Sequence, residues 1–383
     1  MTNDSSSKSG ERVAGVERSE PPDRRISGGS LTLDPGHPKP GHPNLELLND
    51  EVRMTNDEAR MTNDEARSRD FVIRHSGFVI CRIRLIREVT RPGGSGPWNG
   101  QYALQKALCA RRPDWLAIGG PLQDGEIPWF WCWEDRDAAA MCAQTGQPFI
   151  VGPNVLFEHS RRPCRLPAER EICHAASCRL MFTESAWYRD LIERHRGPSN
   201  RAPIVLWPYP IDPKPGGPLP AEYDLLVYAK GNYRLGLVAR LARHFPRLRL
   251  LVYGEFARQE LFDAARRSRC CLYLSDDDRG PLALAEILLS GCPAIGVPTG
   301  APFIEPGRTG ILLDRFRPPT CVEAIRACHQ LDRHAVAAAA EQQFDTTRIV
   351  ETVLAALRYA AQQTELRPPQ PCGPAWIAKN LDQ

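Results

Sequence analysis

From residue 78 onward, short apolar runs alternate with stretches of helical periodicity. Runs bounded by Gly, Pro, Asn and Asp read as buried strands, and apolar residues three or four apart read as one face of a helix. In the first half this pattern predicts strands at 78–89, 115–119, 127–133, 148–152, 179–183 and 204–207. Helices are predicted between them at 101–110, 138–145, 168–177 and 184–195. The second half predicts strands at 223–229, 249–253, 270–274, 293–297 and 310–312. Its helices are predicted at 235–244, 258–267, 281–290, 319–331, 335–343 and 347–363. Strands that are apolar throughout and alternate with helices imply parallel sheets covered on both faces, an α/β fold.

The pattern also divides the chain. Residues 1–77 are rich in Gly, Pro, Ser, Asp and Arg and poor in large apolar residues, which reads as a disordered or spuriously translated extension. The heptapeptide MTNDEAR occurs there twice in tandem, at 54–60 and 61–67, with too few apolar positions for a coiled-coil seam. A first domain is expected over 78–209 and a proline-stiffened linker over 210–221. A second domain follows over 222–345, and a helix packing back with a Pro-rich tail over 346–383.

Composition adds exclusions. At 383 residues the chain has room for two domains, and a net charge of +3 gives no footprint for nucleic acid. No apolar run is long enough for a membrane span, so any membrane contact is expected to be peripheral. The 13 cysteines form no C-x-x-C pair and no secretory signal precedes them, so reduced thiols and a cytoplasmic location are expected. The cluster Cys164, Cys173, His174 and Cys178 matches no zinc spacing, and no metal is expected. Only six of the 49 basic residues are lysine, which singles out a lysine at a strand end.

The chemistry concentrates in residues 270–314. An apolar strand runs into Asp276, Asp277 and Asp278; a helix follows, with Pro281 read as its first residue and Leu282, Ala285, Leu288 and Leu289 as its apolar stripe. Gly291 closes that helix. A strand leading into a helix N-terminus presents free amides and a positive dipole end, where phosphorylated ligands bind. Seven residues separate Asp278 from Glu286, so both can face one crevice, and a carboxylate pair suits vicinal hydroxyls. A capping Asp and a surface Glu would explain the same two residues.

This stretch resembles the nucleotide-binding half of GT-B glycosyltransferases of the retaining group known as family 4, also called glycosyl transferases group 1. The likeness rests on Asp278, Glu286, Gly291-Cys292-Pro293, Thr299-Gly300 and Gly310-Ile311-Leu312. It implies two Rossmann-like doubly wound domains facing across a cleft. It implies transfer of a hexose-like sugar from a nucleotide-diphosphate sugar to a hydroxyl acceptor, with a glycan or a lipid-linked glycan among the acceptors, as in polysaccharide biosynthesis. Glu286 would hold the donor's ribose and Asp278 would face the sugar or its diphosphate. Lys230 and Arg234, with the amides of Leu282 and Ala283, would neutralise the diphosphate. The donor is a substrate, and no cofactor is implied. The resemblance also places the loop after the first strand, with Gly94 and Gly96, at the cleft. From the same side it makes Asn154, Glu158 and His159 candidates to approach the sugar.

The chain departs from that pattern. Asp278 stands where the family usually has Glu, Gly280-Pro281 replaces Phe-Gly, and Lys230 precedes Arg234 in reverse of the usual order. Pro281 has no N–H to offer a phosphate. Two other readings therefore stay open: a degenerate protein that binds a nucleotide sugar without turnover, and a nucleotide-sugar epimerase.

Overall fold

In the computed structural model, the residues described are 74–75, 78–79, 81–91, 96–157, 160–231 and 234–362. The two MTNDEAR copies, Gly94, Glu158, His159 and the Pro-rich tail lie outside them.

The first apolar run is not one strand. β1 (Arg74–His75) and β2 (Phe78–Val79) pair antiparallel as a two-stranded ribbon, and β3 (Ile83–Leu85) begins the main sheet. The first domain continues with α1 (Gly96–Arg111), β4 (Leu116–Ile118), β5 (Ile127–Phe130) and α2 (Arg136–Thr145). Then come β6 (Phe149–Val151), α3 (Pro167–His174), β7 (Cys178–Thr183), α4 (Ala186–His195) and β8 (Ile204–Leu206). The sheet is parallel, in the order β4-β3-β5-β6-β7-β8.

The strand expected over 127–133 stops at Phe130 because a 3-10 turn, Trp133–Asp135, takes over. The expected aromatic alternation therefore breaks. Trp129 and Trp131 are fully buried, whereas Trp133 is 59% exposed.

The second domain comprises β9 (Leu225–Ala229), α5 (Leu235–Ala242), β10 (Leu248–Val252), α6 (Arg258–Arg266), β11 (Cys271–Leu274) and α7 (Leu282–Leu289). β12 (Ala294–Gly296), β13 (Gly310–Leu312), α8 (Pro318–Cys328) and α9 (Arg333–Gln343) complete it. This sheet is also parallel, ordered β10-β9-β11-β12-β13. Each sheet reverses its strand order once, at β3 and at β9. In open α/β sheets the carboxyl ends beside such a reversal form the ligand crevice.

Apolar side chains cover both faces of both sheets. α10 (Thr346–Gln362) belongs to the first domain's core, through Ile349, Val350, Val353 and Leu357. The Cys81 amide donates to the Ala361 carbonyl at 3.4 Å, tying this helix to the start of the first domain. Leu282 at the start of α7 packs against the cores of both domains.

α7 corrects two expectations. Pro281 is its N-cap, with extended backbone (φ −73°, ψ 92°), rather than its first helical residue. The apolar stripe is also too narrow a description: every residue from Leu284 to Leu289 is buried, Glu286 included. Gly291 closes the helix at φ +72°, a left-handed conformation that glycine adopts without a Cβ clash.

Candidate functional site at the carboxyl ends of two sheets

Lys230 leaves the carboxyl end of β9, where the second sheet reverses order. Its amide donates to the Leu274 carbonyl at 2.9 Å, which holds the β9 exit beside that of β11. Its Nζ lies 2.7 Å from Asp278 Oδ2 and 5.3 Å from the Tyr253 ring centroid. The Tyr273 hydroxyl donates to the same Asp278 oxygen at 3.0 Å. Tyr273 is itself held by stacking on Tyr228, ring centroids 4.8 Å apart and nearly coplanar. Asp278 is thus a buried acid gripped on one oxygen by a cation and a phenol, and its amide donates to the Thr299 carbonyl at 2.8 Å.

Arg234 precedes α5 with a left-handed backbone (φ 42°). Its guanidinium donates to Asp276 Oδ1 at 2.6 Å and lies over the Phe316 ring. A cavity of about 420 Å³ opens there, lined by Arg234, Asp276, Thr299, Asp314, Arg315 and Phe316.

Glu286 is 6% exposed. Arg258 Nε donates to its Oε1 at 2.6 Å, and the same guanidinium reaches the Asp212 carbonyl of the linker at 3.0 Å. Burial raises the Glu286 pKa above the usual carboxylate value, while the Arg258 charge opposes that rise. Glu286 is therefore not a surface residue on an otherwise apolar helix. It is a buried acid oriented by an arginine.

The first domain meets this edge directly. Arg279, the residue after Asp278, sends its guanidinium into the first domain, donating to the Leu156 and Phe157 carbonyls at 3.0 and 2.9 Å. It also lies over the Tyr188 ring, 5.3 Å from the centroid. Trp187 Nε1 donates to the Asp278 carbonyl at 3.1 Å, and the Ser160 hydroxyl bonds to the Asp277 carboxylate. The 276–279 loop is thus docked on the other domain.

Glu184 follows β7 and lies against this loop. A Cβ placed on Gly280 would sit 2.7 Å from Glu184 Cγ, so glycine is needed for the approach. Glu184 is 3% exposed, and its Oε2 has no hydrogen-bond partner among the described residues. Burial raises its pKa to about 7; Arg279 opposes this and Asp278 adds to it.

The expected residues are thus distributed as follows. Lys230, Arg234, Asp278, Leu282 and Ala283 gather at the ends of β9 and β11, with Glu286 one turn into α7. Asn154, across the junction, donates from Nδ2 to the Tyr209 hydroxyl at 3.0 Å, and its amide donates to the Trp131 carbonyl. Gly96 is the first residue of α1. Gly94 and His159, being outside the described residues, receive no placement. Sequence reasoning missed Arg258, Tyr273, Arg279 and Glu184. The sequence pattern starts a helix at Glu184, yet α4 begins at Ala186 with Ser185 as N-cap. An acid directly after an apolar strand was the signal available. Among the described residues no cluster of His, Cys, Asp and Glu has metal-site geometry.

No protein-family model and no curated protein matches this sequence. Solved structures do match. HepE of Anabaena in complex with UDP-glucose is 13% identical, with 72% of this chain and 99% of that chain covered and a TM-score of 0.53. The same protein in complex with UDP gives a TM-score of 0.50 at 12% identity, over 72% of this chain and 99% of that one. Sucrose-phosphate synthase from Thermosynechococcus elongatus gives 0.50 at 14% identity, over 73% and 97% of the two chains. At such identities the likeness is one of fold. The two parallel sheets with their interleaved helices form the GT-B fold.

Proposed function

We propose that this protein transfers a sugar from a nucleotide-diphosphate sugar to a hydroxyl acceptor, with retention of configuration, as a hexosyltransferase of the family 4 type. One observation carries the reading: Lys230, Asp278 and the N-terminus of α7 meet at the carboxyl ends of β9 and β11, where the second sheet reverses order. HepE, of the same fold, has been solved with UDP and with UDP-glucose, which supports a nucleotide sugar as the ligand here.

The chemistry follows from charge. The leaving group is a nucleoside diphosphate, and its departure needs fixed positive groups where charge builds. Lys230 and Arg234 are each held by an acid, Asp278 and Asp276 respectively. An arriving diphosphate competes for the same two cations. The first amides of α7, at Leu282 and Ala283, add the dipole end of a helix. Arg258 fixes one oxygen of Glu286, which leaves the carboxylate oriented to accept ribose hydroxyls. Asp278 and Asn154 stand on the two sides of the junction where the transferred sugar would lie, and His159, five residues after Asn154 in the sequence, is a further candidate to contact it. No metal or cofactor enters this scheme. The acceptor is a hydroxyl compound, a glycan or a lipid-linked glycan. The scattered cysteines, read as reduced thiols, favour the cytoplasm as the place of the reaction. No helix among the described residues is long and apolar enough to cross a membrane.

The test is calorimetric titration with UDP-, GDP- and ADP-sugars, together with donor hydrolysis. At least one donor should bind and hydrolyse slowly. Glu286→Ala should weaken that donor about ten- to hundredfold, the equivalent of a lost charged hydrogen bond of about 1.5–3 kcal/mol, and Glu286→Gln should fall between. Absence of binding and hydrolysis across the panel would overturn the proposal.

A further inference from the structure

At the first domain's strand ends, buried polar groups have no partners. Glu184 follows β7, Trp131 follows β5 and Trp207 follows β8. Their relative exposures are 3%, 0% and 1%. Glu184 Oε2, Trp131 Nε1 and Trp207 Nε1 all lack a hydrogen-bond partner among the described residues. Leaving such groups buried and unpaired is costly, and native structures seldom do so without a water or ligand to serve them.

These groups share one face of the sheet. Trp131 and Trp207 belong to the same packed cluster, linked through Trp129 and Phe182 at ring-centroid spacings of 5.7, 5.3 and 5.7 Å. Tyr209 extends the chain 5.1 Å from Trp207, and its hydroxyl accepts from Asn154. Glu184 lies near enough to Tyr209 for its charge to raise the phenol's pKa, second only to burial. The stem of Glu184 abuts Gly280, one residue before the N-cap of α7.

We propose that Glu184, at the β7 end of the sheet whose β5 and β8 ends carry Trp131 and Trp207, binds hydroxyl groups of the transferred sugar and determines which sugar is accepted. The assignment rests on the proposed function, which puts the donor diphosphate at the N-terminus of α7. A sugar attached to that diphosphate lies next to Gly280 and so next to Glu184. The chemistry is complementary: a carboxylate accepts, an indole donates, and a sugar hydroxyl does both. The charges that act on Glu184, Arg279 and Asp278, are of opposite sign. The site therefore favours a neutral polyhydroxyl group over an ion.

The experiment compares a nucleotide sugar with the matching nucleoside diphosphate, UDP-glucose and UDP being the first pair. Both are titrated at pH 8, above the Glu184 pKa of about 7, into the full-length wild type, Glu184→Ala and Glu184→Gln. Glu184→Ala should bind the nucleotide sugar about tenfold more weakly and the nucleoside diphosphate within about twofold of wild type, the loss expected from one charged hydrogen bond. In the wild type, the indole N–H resonances of Trp131 and Trp207 should shift with the nucleotide sugar and stay put with the nucleoside diphosphate. Equal losses for both ligands, or no loss for either, would overturn the assignment. If Glu184→Ala does not fold, the same comparison is read from Glu184→Gln, which keeps the shape. A wild type that binds no nucleotide or nucleotide sugar of any base would instead remove the proposed function itself. That result is distinct, because it appears before any substitution is made.

Discussion

The two strand-end edges that meet at the domain junction are built on opposite principles. On the second domain's edge three acids are each met by a base: Asp278 by Lys230, Asp276 by Arg234 and Glu286 by Arg258, all at 2.6–2.7 Å. On the first domain's edge, Glu184 Oε2 and the Trp131 and Trp207 indoles are buried without partners. The second domain's edge is electrostatically complete by itself, and a ligand there must exchange partners. The first domain's edge is incomplete, and a ligand there would supply what is missing. Two edges of the same architecture thus differ in what an occupant must do, so substitutions at them should differ in kind as well as in size.

The largest effect should come from breaking a pair on the complete edge. Arg258→Ala leaves Glu286 as a buried acid with its guanidinium partner gone. Removing one member of a buried pair costs about 3–5 kcal/mol, and the partial exposure of Arg258 puts this case near about 3 kcal/mol. Urea denaturation measures it. A loss below about 1 kcal/mol would mean that the pair is solvated and the contrast between the edges overstated.

The next effect tests the incomplete edge by pH. An unfolded glutamate loses its proton from about pH 4.5 upward, whereas Glu184 in the native protein keeps its proton until about 7. Over that interval the native state binds more protons than the unfolded state, so stability falls as pH rises. The contribution is complete below about 4.5 and gone above about 7, on the order of 3 kcal/mol in all. Burial also raises the pKa of Asp135 and Glu286, and both contribute with the same sign. The readout is therefore the difference between wild type and Glu184→Gln, which should be flatter across pH 4.5–7. Parallel curves would show that Glu184 titrates normally.

This contrast was half legible in the sequence. Parallel sheets, their helices and the acid-x7-Glu spacing around α7 could be read because apolar runs and turn residues are local signals. Lys230 and Arg234 could be read because cations beyond a strand end stand out in an arginine-rich, lysine-poor chain. What could not be read was partnership. Arg258 reaches Glu286 across 28 residues and Arg279 reaches Leu156 across 123, and no periodicity encodes either contact. The same limit hid the burial of Glu286, since a helix covered on all sides by two domains gives no amphipathic pattern for a polar residue to interrupt. It also hid Glu184, whose significance lies in having no partner.

A smaller effect should come from the bridge between the edges. Arg279→Gln removes charged hydrogen bonds to the Leu156 and Phe157 carbonyls and a contact over Tyr188. A loss of about 2 kcal/mol is expected, with a larger radius of gyration by small-angle X-ray scattering as the domains part. If the radius is unchanged, the remaining contacts at Trp187 and Ser160 suffice to hold the 276–279 loop in place.

The smallest effect is the most discriminating. Trp131→Phe removes an indole N–H that has no partner, together with some buried ring area. The lost area destabilises by leaving a small cavity, while the deleted donor relieves an unpaid desolvation, so the two changes oppose each other. The net change in the free protein should stay within about 1 kcal/mol. Trp133→Phe, two residues on and 59% exposed, is the control and should stay within about 0.5 kcal/mol. With ligand the two variants should separate: Trp131→Phe should bind the nucleotide sugar more weakly while Trp133→Phe binds as wild type. A large stability loss in Trp131→Phe would mean that its N–H is satisfied by internal water, and that the first domain's edge is as complete as the second's.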